Sequence, residues 1–368
     1  MSGQRPRFAI LGTGNSGQAF AADITLKGFP VQLAEVPAFA ENLEAIRQKG
    51  GIRISGDASN GFAELALITM DFAEAIRGVD IVIIGGSAFA HEPIAKAAAP
   101  YFEDGQYVLF TSNFGALRFR GWMQEMGATT DVTAVETMSL IYATRALAPG
   151  EVSVIGVKND LPTACFPASR TRSFLDLIGP VFPELTAADN VLFTSLNNLN
   201  PIVHPPMMLF NAGRIEATGG AGWNLYHEGA TESVARVMLA MDAERMALMD
   251  RIGVKGIPFE KIFSAIYARY NLKGATLSET LRNSPIHSNP SFPAPDTIDT
   301  RYLTEDLNFG LAPWSLMGKA WDVPTPTIDA AVRMASVMLG KDFLKECITL
   351  NEMGIVDVPP EKLNEWVD

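Results

Sequence analysis

Two stretches in the second half of the chain carry residues that could move protons and bind anions. The first contains His204, which stands between a proline-containing loop and the pair Pro205–Pro206. Histidine changes protonation near neutral pH and is suited to acid–base work. The second stretch, Asp299–Leu311, combines Arg301 with three carboxylates, and an arginine there could hold a carboxylate through two parallel hydrogen bonds. Two alternatives stay open: His204 could simply begin a helix, and Arg301 could pair with a neighbouring Asp or Glu.

A third stretch, near the N-terminus, predicts a phosphate-binding turn. The apolar run Phe8–Leu11 is typical of a strand in a parallel sheet, and glycines follow it at positions 12, 14 and 17. In this G-x-G-x-x-G pattern the glycines allow a tight turn, the approach of a pyrophosphate and close packing of helix on strand. The helix predicted over Gln18–Lys27 would direct free N–H groups at the phosphates. The cofactor-binding candidates here are Gly12, Gly14, Asn15, Ser16 and Gly17.

The next predicted strand, Val31–Glu35, ends in an acid 18 residues after Gly17. A carboxylate at this place in a dinucleotide-binding unit holds the ribose hydroxyls of adenosine. A 2′-phosphate about 4 Å from Glu35 would cost about 4 kcal/mol at an effective dielectric near 20. The residues that follow are Val36, Pro37 and Ala38, none of which offsets that repulsion. The sequence therefore predicts NAD(H) as the cofactor in preference to NADP(H).

Strands and helices continue to alternate through the first half of the chain. Strands are predicted over Asp80–Gly86, Tyr107–Thr111 and Val132–Glu136, with a helix from Pro93 toward Tyr101. This alternation indicates an α/β fold with a doubly wound, mainly parallel sheet. In such sheets ligands bind beyond the carboxyl ends of the strands. Further candidates to face cofactor or substrate are Gly85, Gly86, Ser87, His91, Asn113 and Glu136, with His91 alternatively a helix-start residue whose ring is satisfied locally.

From about residue 186 the pattern changes to long helices. A helix with a methionine-rich apolar face is predicted between Val234 and Ile252, and another is predicted to begin at Thr325 and end at Gly340. The chain is therefore expected to form an α/β dinucleotide-binding domain over residues 1–185 and an all-α substrate and catalytic domain over 186–368.

Composition narrows the class of partner. The formal net charge is −12, which argues against nucleic acid or an anionic membrane as a partner. Cys165 and Cys347 form no disulfide framework, and no metal-ligand spacing surrounds them. Residues 1–6 have no apolar signal segment, and no apolar run reaches about 18 residues, the length of a membrane span. We expect a cytoplasmic protein with no metal site.

Several segments, in order along nearly the whole chain, resemble the opine dehydrogenases, the octopine/nopaline dehydrogenase family. The His-Pro and RYLTED segments are the specific ones. The matching segments are 12–17 (GTGNSG), 136–145 (ETMSLIYATR), 198–213 (NLNPIVHPPMMLFNAG), 226–229 (YHEG), 301–311 (RYLTEDLNFGL) and 323–328 (VPTPTI).

The resemblance implies a Rossmann domain followed by an all-helical domain, with the active site between them. It implies His204 as the catalytic histidine, Asp306 as its orienting carboxylate and Arg301 as the arginine that binds the substrate carboxylate. Glu136 falls where an acid often contacts the amino-acid substrate. Ile141 replaces an expected proline beside Tyr142 and the amino-acid pocket, which puts that substrate in doubt. The remaining substrate-binding candidates are Tyr142, Arg145 and Arg214, the last two being alternatively domain-contact residues.

The activity that the resemblance implies is reductive condensation of an amino acid or other amine with an α-keto acid, often pyruvate, with NADH as reductant. The partners are then small molecules, and a homodimer is plausible. Two rival hypotheses remain: an NAD-dependent dehydrogenase of a simple 2- or 3-hydroxy acid with no amine substrate, and a dinucleotide-binding protein that has lost catalysis.

Overall fold

The computed structural model describes residues 5–289 and 293–368. The chain divides into two compact units. The first runs to Ser195 and includes Val367–Asp368, and the second comprises Leu196–Trp366. Within the described residues no helix is both long enough and apolar enough to cross a membrane.

All strands that the structure describes lie in the first unit. Their bounds are β1 (Phe8–Leu11), β2 (Val31–Ala34), β3 (Gly51–Gly56), β4 (Gly61–Glu64), β5 (Leu67–Thr69), β6 (Ile81–Ile84), β7 (Tyr107–Phe110), β8 (Thr133–Thr137), β9 (Tyr142–Ala148), β10 (Glu151–Val157), β11 (Leu161–Phe166) and β12 (Leu185–Ala187). Among the described residues, eight of these strands form a sheet in the order β12-β11-β8-β7-β6-β1-β2-β5. Every pairing in it is parallel except that of β8 with β11. The predicted doubly wound, mainly parallel sheet is confirmed.

The register of the central strands brings the predicted cofactor residues to one edge. Leu11, the last residue of β1, lies opposite Ala34 of β2 and Ile84 of β6. The residues that follow these three strands are Gly12, Glu35 and Gly85, so they meet at the carboxyl edge of the sheet. All four residues of β1 and all four of β6 are 0% exposed, which explains why their sequences are continuously apolar rather than alternating.

A second sheet, of four strands among the described residues, has the order β4-β3-β10-β9. No strand is predicted after Glu136, so β9, β10, β11 and β12 were not anticipated. The strand β10 alternates buried and half-exposed residues, and β9 alternates half-buried and exposed ones. That pattern is weaker in sequence than the apolar runs of the parallel sheet.

The helices of the first unit lie between and beside these strands. Their bounds are α1 (Asn15–Leu26), α2 (Ala40–Lys49), α3 (Phe72–Ile76), α4 (Ala88–Ala98), α5 (Gly115–Glu125) and α6 (Thr171–Ile178), with α7 (Val191–Leu196) at the end of the unit. The predicted helix start at Pro93 is wrong, because α4 begins five residues earlier and contains Pro93. A proline inside a helix removes one backbone hydrogen bond, and α4 continues past Pro93 without that bond.

The second unit is all-helical in its described residues, as predicted. Its helices are α8 (Asn200–Phe210), α9 (Ala212–Thr218), α10 (Leu225–Gly229), α11 (Glu232–Arg251), α12 (Phe259–Ile266), α13 (Leu277–Arg282), α14 (Arg301–Asp306), α15 (Ala312–Trp321), α16 (Pro326–Leu339), α17 (Phe343–Glu346) and α18 (Leu363–Trp366). The side chain of Thr231 caps α11 by accepting from the backbone N–H of Val234. Gly340, with φ of 64°, ends α16 as predicted.

Candidate active site

His204 and Asp306 form a buried pair in the helical unit. His204 lies in the middle of α8 and Asp306 is the last residue of α14. Nδ1 of His204 lies 2.7 Å from Oδ2 of Asp306, and their side chains are only 11% and 5% exposed. Burial raises the pKa of Asp306 from its ordinary value, and the His204 and Arg301 charges oppose that rise. A carboxylate at Nδ1 fixes the ring as the tautomer that carries its proton there, which leaves Nε2 for chemistry.

Close packing of α8 against the turn after α14 sets this geometry. The chain continues from Asp306 into a wider helical turn, Leu307–Leu311. Within it, Gly310 lies against α8, where an added Cβ would come 2.3 Å from Cγ of Pro201. Only glycine fits that contact without moving one of the two elements. The sequence therefore places the imidazole and the carboxylate together although 102 positions separate them.

Aromatic side chains surround the imidazole. Nε2 of His204 lies 2.9 Å from the hydroxyl of Tyr226, in α10. Tyr302 stacks on the imidazole face, with ring centroids 4.3 Å apart and planes 30° apart. Burial, together with nearby Tyr302, Tyr267 and Asp306, raises the pKa of Tyr226 well above its ordinary value, so its hydroxyl keeps its proton. Tyr226 lies in the segment YHEG that resembles the family, but the sequence predicts no role for it.

Arg301 is the first residue of α14 and its side chain is exposed. Its positive charge opposes the rise in the pKa of Asp306 that burial causes. Within the described ranges Arg301 has no hydrogen bond or ion pair, and nearby Asp299 pairs instead with Lys341 at 3.0 Å. The alternative in which Arg301 pairs with a neighbouring acid therefore does not occur here. An exposed guanidinium beside the His204–Asp306 pair remains available to a carboxylate ligand.

The glycine loop has the geometry that its three glycines predict. Gly12 has φ of +115°, and an added Cβ would lie 1.8 Å from the carbonyl oxygen of Gly85. A Cβ on Gly17 would lie 2.0 Å from the carbonyl oxygen of Gly12, so that glycine allows helix and strand to touch. A Cβ on Gly14 would meet nothing within 4 Å. The space over Gly14, at the N-terminus of α1, is thus open to a phosphate.

Glu35 is buried next to this loop. Its Oε2 accepts hydrogen bonds from the backbone N–H and the hydroxyl of Thr13, at 2.6 and 2.7 Å, and its Oε1 accepts from the N–H of Val36. Thr13 was not singled out from the sequence, where it is one of the variable positions of the motif. Asn15 accepts a hydrogen bond from the N–H of Ala146 on β9, and Ser16 is buried in the first turn of α1.

The remaining cofactor candidates lie after β6 and β7. Gly86 has φ of +159° and Ser87 precedes α4 as its N-cap. Asn113 is the middle one of three consecutive residues with positive φ, Ser112 to Phe114, between β7 and α5. Left-handed conformations are costly for residues other than glycine, and such strain collects at binding sites.

His91 is buried within the first unit. It is the fourth residue of α4, it is 1% exposed, and its ring packs on Phe110 with centroids 5.4 Å apart. Neither ring nitrogen has a hydrogen-bond partner among the described residues. Burial, and secondarily the charge of Arg118, lowers its pKa to about 3, so the ring is neutral. His91 is therefore a buried residue whose ring is not satisfied locally, and its assignment to the cofactor site stays a prediction.

Two substrate candidates of the first unit, Tyr142 and Glu136, are both buried. Tyr142 is 2% exposed, and its hydroxyl donates to Oδ2 of Asp23 at 2.6 Å, which ties β9 to α1. Its role in substrate binding stays a prediction. Glu136 is 0% exposed and accepts from the hydroxyls of Ser195 and Thr194. Burial raises its pKa to about 7 against the effect of these hydrogen bonds.

The two further arginines are on the surface. Arg145 is exposed on β9. Arg214 lies on α9 over the ring of Trp223, 4.3 Å from its centroid, and 3.9 Å from a carboxylate oxygen of Glu228.

Comparison with known proteins decides the family. Residues 187–339 match the family described as NAD/NADP octopine/nopaline dehydrogenase, alpha-helical domain. An opine dehydrogenase of Arthrobacter sp. (strain 1C) is 35% identical over 350 residues, which is 95% of this chain and 95% of that protein. The chain belongs to the opine dehydrogenase family. It is accordingly an NAD(P)-dependent oxidoreductase acting on a CH–NH donor, and the resemblance inferred from the sequence is confirmed.

More distant relatives support the same family and fold. The vitopine synthase of Allorhizobium ampelinum is 23% identical over 97% of this chain and 98% of its own length. A solved structure of octopine dehydrogenase in complex with NADH and agmatine has a TM-score of 0.76 at 18% identity, and the match covers 97% of both chains. At this identity the structural match shows the shared fold.

Proposed function

We propose that this protein catalyses the NADH-dependent reductive condensation of an amino acid, or another amine, with an α-keto acid such as pyruvate, and the reverse oxidation. The observation that carries the proposal is the buried His204–Asp306 pair with an exposed arginine beside it. We assign cofactor binding to the domain 1–185 and catalysis to the domain 186–368. The family match over residues 187–339 supports that division.

The residues at the carboxyl edge of the parallel sheet fit a dinucleotide. Gly14 leaves open space at the N-terminus of α1. An added Cβ on Gly12 or Gly17 would come within 3 Å of backbone atoms, so these two positions require glycine. Gly12, Gly14 and Gly17 with Asn15 and Ser16 would hold the pyrophosphate, while Glu35 would face the adenosine ribose. When bound, the nicotinamide supplies the hydride that reduces the imine carbon.

The chain's own side chains would provide proton transfer and orientation. The amine and the keto acid join as a carbinolamine, which loses water to give the imine, and this loss requires a proton on the departing oxygen. His204 would supply that proton and Asp306 would stabilise the charged ring. Arg301 would grip the keto-acid carboxylate in a fixed orientation. Glu136 stays our candidate on the amine side, with Arg145 as a candidate for a second carboxylate.

We further propose NADH over NADPH as the reductant. The carboxylate of Glu35 is held in place by three hydrogen bonds, so it cannot easily turn away from a 2′-phosphate. At about 4 Å the repulsion would be on the order of 4 kcal/mol at an effective dielectric near 20.

The experiment that tests the function is a screen of NADH consumption. A panel of amino acids and simple amines is combined with pyruvate, glyoxylate, oxaloacetate or 2-oxoglutarate. We expect oxidation only when amine and keto acid are both present, and a product whose mass is that of their reduced condensate. Full-rate oxidation with a keto acid alone would replace our proposal with a hydroxy-acid dehydrogenase. Tight NADH binding without turnover on any pair would indicate a binding protein.

A further inference from the structure

Both ring nitrogens of His204 already have protein partners. Asp306 takes Nδ1, and the hydroxyl of Tyr226 lies 2.9 Å from Nε2. A substrate that exchanges a proton with Nε2 must therefore displace Tyr226 or receive the proton through it. Tyr302 cannot play either part, because it stacks on the face of the imidazole while proton exchange occurs in the ring plane.

Tyr226 is held in place from two directions. Its helix, α10, is capped by Asn224, whose side chain accepts a hydrogen bond from the N–H of His227 at 2.8 Å. Its ring stacks on His287, with centroids 4.7 Å and planes 26° apart. His287 is itself fixed, since its Nδ1 lies 2.8 Å from the hydroxyl of Ser284. Swinging the tyrosine away would break this stack, whereas transfer through its hydroxyl needs no movement.

We propose that Tyr226 is a catalytic residue that relays the proton between Nε2 of His204 and the substrate oxygen. This proposal rests on the proposed function. With His204 protonated, Nε2–H donates to the Tyr226 oxygen, and the Tyr226 O–H donates to the hydroxyl oxygen of the carbinolamine.

The relay step is balanced without any further reactant. The phenolic O–H bond breaks as a new O–H bond forms on the carbinolamine oxygen. The C–O bond then breaks, and its electron pair leaves with water while the nitrogen lone pair forms the C=N bond of the protonated imine, which keeps the N–H proton and the positive charge. The Nε2–H bond breaks and its proton restores the phenol. His204 becomes neutral and Tyr226 is unchanged. The raised pKa of the tyrosine agrees with this role, because the side chain passes a proton without resting as an anion.

The test compares Tyr226→Phe with the wild type and with Tyr267→Phe. The first variant keeps the ring that stacks on His287 and removes only the hydroxyl at His204. Tyr267→Phe makes the same deletion elsewhere in this aromatic cluster, since Tyr267 lies edge-on to His287 at 4.9 Å. Single-turnover NADH oxidation is measured in mixtures of H₂O and D₂O, together with the NADH dissociation constant and Tm of each protein.

If the relay operates, Tyr226→Phe slows the single turnover roughly 10–100-fold, and NADH affinity stays unchanged. In a plot of rate against D₂O fraction, the wild type should follow a curve, because two protons move together. The rate of Tyr226→Phe should fall along a straight line. Tyr267→Phe should keep the curve. A turnover within about threefold of wild type, or a faster one, would refute the relay, and so would an unaltered curve.

The failure of this proposal can be told apart from failure of the proposed function. Turnover by the wild type on a keto acid alone would refute the amine requirement, yet the same comparison still tests Tyr226, because carbonyl reduction also places a proton on oxygen. A wild type inactive on every keto acid, with and without amine, would refute both.

Discussion

Oδ2 of Asp306 lies 2.7 Å from Nδ1 of His204, within a buried part of the helical unit. A buried carboxylate is costly unless it is paired, and the imidazole is its partner. The pair is thus both a structural contact between α8 and α14 and the most direct candidate for proton transfer in the molecule.

Replacing His204 by alanine should lower kcat roughly 10²–10⁴-fold, which is the usual contribution of one positioned acid–base group. The NADH dissociation constant should barely change, because we assign the dinucleotide site to the other domain. Asp306→Asn should also lower kcat, since the amide cannot balance a charged imidazole. His227→Gln is the matched control, as His227 is exposed and contacts the carbonyl of Arg282. Turnover of His204→Ala within a few-fold of wild type would show that the proton moves elsewhere.

Replacing Arg301 by lysine should raise KM for the keto acid far more than KM for NADH. Lysine keeps the charge but cannot form two parallel hydrogen bonds to a carboxylate. Steady-state kinetics with each substrate varied in turn makes the measurement, and Arg333→Lys on the exposed face of α16 is the control. An unchanged KM for the keto acid would remove Arg301 from the substrate site.

Much of the fold could be predicted because its signals are local. The strands β1 and β6 are uniformly apolar and uniformly buried, and the glycines at positions 12, 14 and 17 identify the turn between strand and helix. His204 and Arg301 were recognised by residue type. The pairing of His204 with Asp306 was anticipated from family resemblance, since the spacing of residues 102 positions apart contains no such information.

The parts that were missed depend on contacts between distant residues. Nothing near Tyr142 in the sequence indicates that its hydroxyl meets Asp23, 119 positions away. Tyr226 contacts His204 and His287 because α10 directs its ring toward both of them. The local sequence does not show this. His91 is predicted to lie at the ligand edge because it follows a strand end, and nothing beside it indicates that the start of α4 at Ala88 buries its ring.

Gly14 and Gly17 should respond to alanine in different ways. Gly17→Ala places a Cβ 2.0 Å from the Gly12 carbonyl oxygen, so the free energy of unfolding should fall by roughly 1–3 kcal/mol. Gly14 has φ of −69°, which alanine adopts, and has open space around it. Gly14→Ala should therefore unfold like wild type and bind NADH about tenfold more weakly, or about 1.4 kcal/mol.

Denaturant titration and NADH titration measure the two effects. The control is Gly121→Ala, on α5, where an added Cβ also meets nothing within 4 Å. Equal NADH affinity in Gly14→Ala and wild type would mean that no phosphate approaches this loop.

Removing the charge of Glu35 should reduce discrimination against NADPH. We expect Glu35→Gln to raise the ratio of kcat/KM for NADPH to that for NADH by about 10–100-fold, since a glutamine can still accept from Thr13 but does not repel a phosphate. Thr13→Val is the control, because it removes the hydroxyl bond to Glu35 and leaves the carboxylate charge. A wild type with equal efficiency for both cofactors would contradict the assignment of NADH.

Glu136 should make the protein less stable as pH rises from about 4.5 to 7. Burial raises its folded-state pKa from 4.5 to about 7. Below pH 4.5 the carboxyl is protonated in both states and contributes nothing. Between the two values the unfolded chain loses this proton and the folded chain keeps it, so stability falls, by about 3 kcal/mol in total at 1.36 kcal/mol per pH unit. Above pH 7 the loss is constant.

The measurement is the difference in unfolding free energy between wild type and Glu136→Gln across this pH range. Glutamine keeps the shape and an oxygen that accepts from Ser195 and Thr194, but it does not titrate. The comparison cancels the pH dependence of every other group, so the wild type should lose stability relative to the variant up to pH 7 and no further. A difference that stays constant from pH 4.5 to 7 would mean that Glu136 is ionised in the folded protein. Such a charge, fully enclosed, would need a cationic partner.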